Sequence, residues 1–197
     1  MPDIADIAAL ETLYGTPKNT AMAKVADRLT PTYRRWIMAS RFCILSTVGP
    51  EGTDASPRGD DGPVVTEVDD RTLLLPDWRG NDRIDSLRNI VRDPRVSLMF
   101  MVPGSTNVIR VNGAGAVTTD DLARFGRRGV QPRSAIRIRI AEVYFQCSRA
   151  LVRSALWKGD ADEGLPTAGE MIAANEAGFD GAAYDAEWTE RARKTMW

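Results

Sequence analysis

The chain has 197 residues, 43% of them hydrophobic, with 26 basic side chains against 27 acidic ones and no histidine. That size suits one globular domain with a sizeable core. The near-balanced charge is a poor match for a nucleic-acid binder, and no apolar run approaches the roughly 20 residues that span a bilayer. Zero histidine excludes Ser-His-Asp and Cys-His nucleophilic machinery as well as His-based metal sites. Any chemistry must come from carboxylates, Arg, Tyr or a bound cofactor.

The N-terminus "MPDIADIAAL" carries acids and no basic region, so it does not read as a signal peptide. A cytoplasmic protein with neither membrane nor nucleic acid as partner is the expectation. Residues 1–40 read as a polar N-terminal helical segment; "PTYRRWIMASR" sets Tyr33, Trp36 and Ile37 at helical spacing, with Pro31 suited to a first turn. "RFCILSTV" (41–48) is a strand stopped by the turn signal "GPEG". "TDASPRGDDGP" starts as a second strand and ends in a loop, because its prolines and glycines do not continue a central strand. "VVTEV" and "RTLLLP" are two more strands, joined through "DD" as a hairpin.

A loop with Trp78, Arg79, Gly80 and Asn81 follows, then a helix from about Asn81, with Asn81 or Asp82 as N-cap and Ile84, Leu87, Ile90 and Val91 on one stripe. "DPR" ends it, and "VSLMFMV" is a buried strand. After "PGST", "NVIRVNGAGAV" is a long strand whose glycines suit bulges or barrel corners. "TTDDLARF" reads as a short capped helix. In "SAIRIRIAEVYFQC", Ile136, Ile138 and Ile140 alternate with Arg137 and Arg139, a strict period of two. "SRALVRSALW" is helical with Leu151, Ala155 and Leu156 inward, 158–168 is an acidic loop, and 169–197 carries two helical stretches. Cys43 and Cys147, each in an apolar strand-like segment, are expected to be buried thiols.

Strands joined by hairpins outnumber βαβ units, which favours a mainly β (α+β) fold: a small barrel of about six antiparallel strands with flanking helices. "VNGAG" does not open a helix as a dinucleotide fingerprint must, and no P-loop is present.

The chemistry concentrates near residue 80. A helix N-terminus already favours an anion, yet Arg79 and Arg83 crowd it. Two explanations stand. Asp82 and Asp85 neutralise the arginines, or a phosphate lies between them, held by Arg79, Arg83, Ser86 and backbone N–H groups. Arg58 in "SPRGD" would complete the grip from another strand, and Trp78 would be a flat wall for an aromatic ring. Phosphate and ring together point to a nucleotide or flavin.

These stretches resemble the FMN-binding split β-barrel family typified by pyridoxamine 5′-phosphate oxidase. The similarity lies in "RFCILSTVGPEGTDASPRGD", "TLLLPDWRGNDRIDSLRNIVRDPRVSLMFMVPG", "VIRVNGAGAVTTD" and "EVYFQCSRALVRSALW", about residues 40–157. The resemblance implies an FMN-binding split-barrel domain over 41–157, with 158–197 a C-terminal helical extension of the same domain. It implies that Arg58, Trp78, Arg79, Asn81, Arg83 and Ser86 surround the FMN phosphate. It further implies that Asn107 lies near the flavin ring and that Arg153 and Trp157 come from the second chain of a homodimer sharing its cofactor sites. The family's pyridoxamine phosphate oxidases hold substrate with a C-terminal Arg and His pair; this chain has no His and ends "RARKTMW", which argues against that substrate.

The expected function is an FMN-dependent oxidoreductase acting on a small molecule. An F420-binding reductase of the same fold is the alternative, since the surplus Arg suits a longer acidic tail. A flavin binder without catalysis is a third. The missing His argues against heme.

Overall fold

The computed structural model describes residues 3–127, 129–159 and 164–197. Its centre is one seven-stranded antiparallel sheet: β1 (Phe42–Gly49), β2 (Gly52–Gly59), β3 (Thr66–Asp69), β4 (Thr72–Asp77), β5 (Arg95–Met101), β6 (Val108–Thr118) and β7 (Ser134–Gln146). The spatial order is β2-β1-β5-β6-β7-β4-β3. The sheet curls like a barrel but is not closed by backbone pairing, since β2 and β3 are its two edges. There is one strand more than the expected six.

Alternation builds the core. Cys43 and Leu45 of β1, Val96, Leu98 and Phe100 of β5, Ile109 and Val111 of β6, and Ile136, Ile138 and Ile140 of β7 face one interior. Arg137 and Arg139 point outward, as their period-two spacing predicts. The parity of β7 then flips. Asn112 pairs with Glu142 but Gly113 pairs with Ile140, so Ala141 is an extra residue and Val143 becomes the buried one. This is the bulge expected near the β6 glycines. Gly113 is required there, because a Cβ would stand 2.1 Å from the Arg139 carbonyl oxygen.

Pro57 lies inside β2, which runs further than the sequence pattern indicates. It is tolerated because β2 is an edge strand. The predicted strand at 64–68 is shifted: Val64 and Val65 are buried but precede β3, and the Val64 N–H is satisfied by the Ser40 carbonyl.

Three helices precede the sheet, α1 (Ile7–Tyr14), α2 (Asn19–Ala23) and α3 (Pro31–Ile37). Only α3 packs on the core, with Thr30 as N-cap, Pro31 in the first turn and Ile37 fully buried. The helix α4 (Asp85–Arg92) lies across β1 and β6. Its close approach to β1 leaves no room for a side chain at residue 49, where a Cβ would meet the Asn89 side chain at 2.2 Å. Leu87 and Ile90 face inward, whereas Ile84 and Val91, expected on the same stripe, are exposed. A 3-10 turn (Leu122–Phe125) covers the outer face of β4, where Leu74, Phe125 and Ala135 form a second small core.

After β7 come α5 (Arg149–Ser154), α6 (Ala168–Ala173), α7 (Gly181–Ala186) and α8 (Trp188–Thr195). Three helices therefore follow residue 167 where two were expected. The helix α5 stops at Ser154 because Ala155 takes a left-handed backbone (φ 50°), which turns Leu156 out to solvent instead of inward. Cys147 is likewise exposed, just past the end of β7, while Cys43 is buried as expected. Burial pushes the Cys43 thiol up to about 12. Among the described residues no helix is long and apolar enough to cross a membrane.

Candidate functional site

Where the sheet fails to close, β2 and β4 face each other across an open seam. A cleft of about 960 Å³ lies there, bounded by β2, the end of β4, the loop into α4, residues 130–134 and the chain's last two residues, Met196 and Trp197. Its size matches a small-molecule or cofactor site.

Side chains, not backbone, bridge the seam. Arg58 of β2 donates from its Nη1 to Asp77 of β4 at 2.7 Å, both side chains more than four-fifths buried. The Arg58 Nε is buried and has no partner among the described residues. Deeper along β2, Asp54 accepts the hydroxyl hydrogen of the buried Ser86.

The loop between β4 and α4 is where the sequence pattern misleads most. The helix begins at Asp85, not near Asn81, and its N-cap position is Ile84, which makes no side-chain capping bond. Asp82 (φ 58°) and Ile84 (φ 53°) both adopt the left-handed region, which breaks any helix through them. The Asn81 side-chain oxygen accepts from the Arg83 N–H, capping a local turn rather than a helix. Arg83 pairs with Asp85 at 2.8 Å, and Asp82 pairs with Arg133 at 3.4 Å. Of the two explanations set out for these arginines, neutralisation by the segment's own acids holds for Arg83 alone, since Asp82 turns to Arg133 instead. Arg79 lines the cleft with no carboxylate within ion-pair distance among the described residues.

Trp78 is held firmly. Its indole N–H donates to Asp60 at 2.9 Å, and Arg127 donates from Nε to the same carboxylate at 3.1 Å. The Asp60 side chain is only 2% exposed, so Arg127 supplies the charge that its burial requires. The body of Trp78 packs against Leu74, Phe125 and Ala135.

Six of the nine site residues named from sequence therefore gather in one cleft: Arg58, Trp78, Arg79, Asn81, Arg83 and Ser86. Asn107, Arg153 and Trp157 do not line it. Asn107 and Trp157 lie near the start of β6, where the Trp157 indole donates to the Ser105 carbonyl at 2.6 Å and the Asn107 N–H to the Ser105 hydroxyl, while Arg153 is exposed on α5.

Sequence patterns missed Asp54, Asp60, Asp77, Arg127, Arg133 and Trp197. Pairs such as Arg58–Asp77 and Asp60–Arg127 are separated by 19 and 67 residues, so no local spacing signals them.

The donor set fits an anion joined to a flat ring. The Arg58 Nε and Arg79, both without a partner among the described residues, offer charge-assisted hydrogen bonds. Ser86 is the weaker match, since its hydroxyl already donates to Asp54. Among the described residues no cluster of metal-ligating side chains is present.

A family model described as pyridoxamine 5′-phosphate oxidase matches residues 29–147, more than half of the chain. No curated protein matches. Among solved structures, the chain is similar to HupZ of Group A Streptococcus, at 17% identity and a TM-score of 0.48, covering 59% of this chain and 93% of that one. It is also similar to an F420 reductase (17% identity, TM-score 0.43, 60% and 98% covered). A third likeness is to a FAD-binding protein of Mesorhizobium loti (18% identity, TM-score 0.41, 61% and 94% covered). With its barrel matched from the approach to α3 through the end of β7, the chain belongs to the pyridoxamine 5′-phosphate oxidase family.

Proposed function

We propose that this protein binds FMN and works as an FMN-dependent oxidoreductase on a small molecule other than pyridoxamine phosphate. The single observation carrying this reading is the convergence of Arg58, Arg79, Arg83 and Trp78 on one cleft at the open seam, with a buried guanidinium N–H left over. Flavin, when bound, supplies the hydride or electron transfer. The chain's own task is to hold it. Arg58, fixed by Asp77, presents its spare N–H groups, and Arg79 contributes a guanidinium with no carboxylate partner among the described residues. Arg83 and Asn81 shape the loop, and Trp78 walls the site without moving, because Asp60 and Arg127 anchor it.

The working form is proposed to be a homodimer with shared cofactor sites. What supports this is that Asn107, Arg153 and Trp157, expected near the ring, lie outside the cleft of their own chain. A second copy could bring them to it.

One observation favours a second reading, a deazaflavin of the F420 type. A smaller groove of about 350 Å³ continues from the cleft along α4 and carries Arg83, Arg88 and Arg92, which suits a longer acidic tail. The same groove also holds Glu51, Asp54 and Asp85, which lowers its net attraction.

The test is the visible absorption spectrum of freshly purified protein, mass identification of what it releases on heating, and thermal shifts with added FMN and F420. A yellow protein releasing FMN supports the first reading. A colourless protein protected by F420 alone replaces it with the second. FMN that binds yet takes no electrons from NADH or NADPH in turnover leaves binding without catalysis.

A further inference from the structure

The last two residues reach the cleft although the segment that carries them is otherwise poorly anchored. The helix α8 buries none of its residues, and Trp188 and Met196 are mostly exposed. Trp197 nevertheless comes to rest on Trp78, ring centroids 5.0 Å apart and planes at 79°. Trp78 cannot adjust to meet it, since its N–H is committed to the buried Asp60 and its ring is packed on the small core beneath β4.

Two indoles at nearly a right angle form a corner with one wall fixed in the small core and one wall on a segment whose helix buries none of its residues. Both line the same cleft as Arg58, Arg79 and Arg83. Each remains only half-buried, so aromatic surface is left facing the cleft. A planar heteroaromatic ring can stack on one indole face and present its edge to the other, the offset and edge-to-face geometries that aromatic groups prefer. Anionic groups on the same ligand would then lie toward the guanidinium side.

We propose that Trp197 is a ligand-contacting, specificity-determining residue: it closes the cleft over the planar ring of a phosphorylated heteroaromatic ligand, completing a corner whose fixed wall is Trp78. This rests on the flavin reading and adds to it the segment 188–197 as the part that discriminates ligands with a ring from bare anions. Stacking of a base on an aromatic side chain is lost on alanine substitution at about 1–3 kcal/mol, or roughly 5- to 150-fold in affinity.

The test titrates cofactor-stripped full-length protein with FMN, following quenching of flavin fluorescence, for wild type, Trp197→Ala and Trp197→Phe. Inorganic pyrophosphate, read by thermal shift, is the ring-free probe. The corner requires Trp197→Ala to weaken FMN by at least about 5-fold, Trp197→Phe to stay near wild type, and pyrophosphate protection to be equal in all three. Should Trp197→Ala lose its fold by circular dichroism, Trp197→Leu, which keeps apolar bulk without a plane, takes its place under the same criteria. Unchanged FMN affinity in the variants overturns the corner alone, as does an equal loss for FMN and pyrophosphate, which would mark a merely structural contact. A wild type that binds no flavin or deazaflavin at all overturns the parent reading together with this one.

Discussion

Replacing Asp77 by asparagine removes one charge from the pair that spans the open seam. At the observed 2.7 Å and an effective dielectric of about 20, the attraction between Arg58 and Asp77 is about 6 kcal/mol before desolvation is set against it. Removing one partner of a fully buried pair costs about 3–5 kcal/mol, much of it from the charge left behind. About a fifth of each side chain still meets solvent, and an amide keeps one acceptor oxygen, so the expected loss is about 2–3 kcal/mol. For a chain of this size that lowers Tm by about 4–12 °C. Calorimetry or urea unfolding of cofactor-stripped wild type, Asp77→Asn, Arg58→Met and the double variant measures it. The double variant should lose less than the two single losses combined, by at least about 1 kcal/mol. Losses that add to within about 0.5 kcal/mol would refute the reasoning, and packing alone would then hold β2 against β4.

Three further outcomes are expected. Ile84 is a β-branched residue held at φ 53° with an exposed side chain; Ile84→Asn should stabilise by about 1 kcal/mol, because asparagine tolerates that backbone, and an unchanged or lower Tm in thermal unfolding would refute this. A thiol reagent at pH 8 should label Cys147 and leave Cys43 untouched until the protein unfolds, since Cys43 is buried and its thiol titrates near 12; Cys147→Ser should abolish native labelling. Hydrogen bonds from the Arg95 side chain and backbone hold Asp93 at about 2, below its usual 3.8. A depressed carboxylate contributes stability above the unfolded value and loses it as pH falls through the folded one. The Asp93 carboxyl signal in NMR should therefore titrate near pH 2, and titration near pH 4 would show the pair is not formed.

The strands were legible because each carries its own signal. Alternation in 136–140, the hairpin at Asp69–Arg71 and the buried run of β5 depend on neighbours in sequence, and the structure places strands at each. The bulge near Gly113 was also legible, because glycine in a strand marks close backbone approach. The start of α4 was not. Asn81 and Asp82 look like caps, yet Asn81 caps a turn and Asp82 pairs with Arg133, which comes from just before β7. A distant partner overrides a local propensity there, as tertiary context does for weak intrinsic preferences.

The candidate site divides along the same line. Residue types alone determined which groups are at hand: arginines at 58, 79 and 83, a tryptophan beside them, and no histidine anywhere. Folding decided which of those groups remain available. Arg58 is committed through one Nη1 N–H to Asp77 with its buried Nε unpartnered, Arg83 to Asp85, and Ser86 to Asp54, while Arg79 stays unpaired, all among the described residues. It also decided that Trp197, more than a hundred residues beyond Trp78, shares its cleft. Side-chain chemistry is carried by each residue, but pairing between residues far apart in sequence is an outcome of how the sheet curls. The seam between β2 and the end of β4, where the cleft lies, exists only once all seven strands are in place.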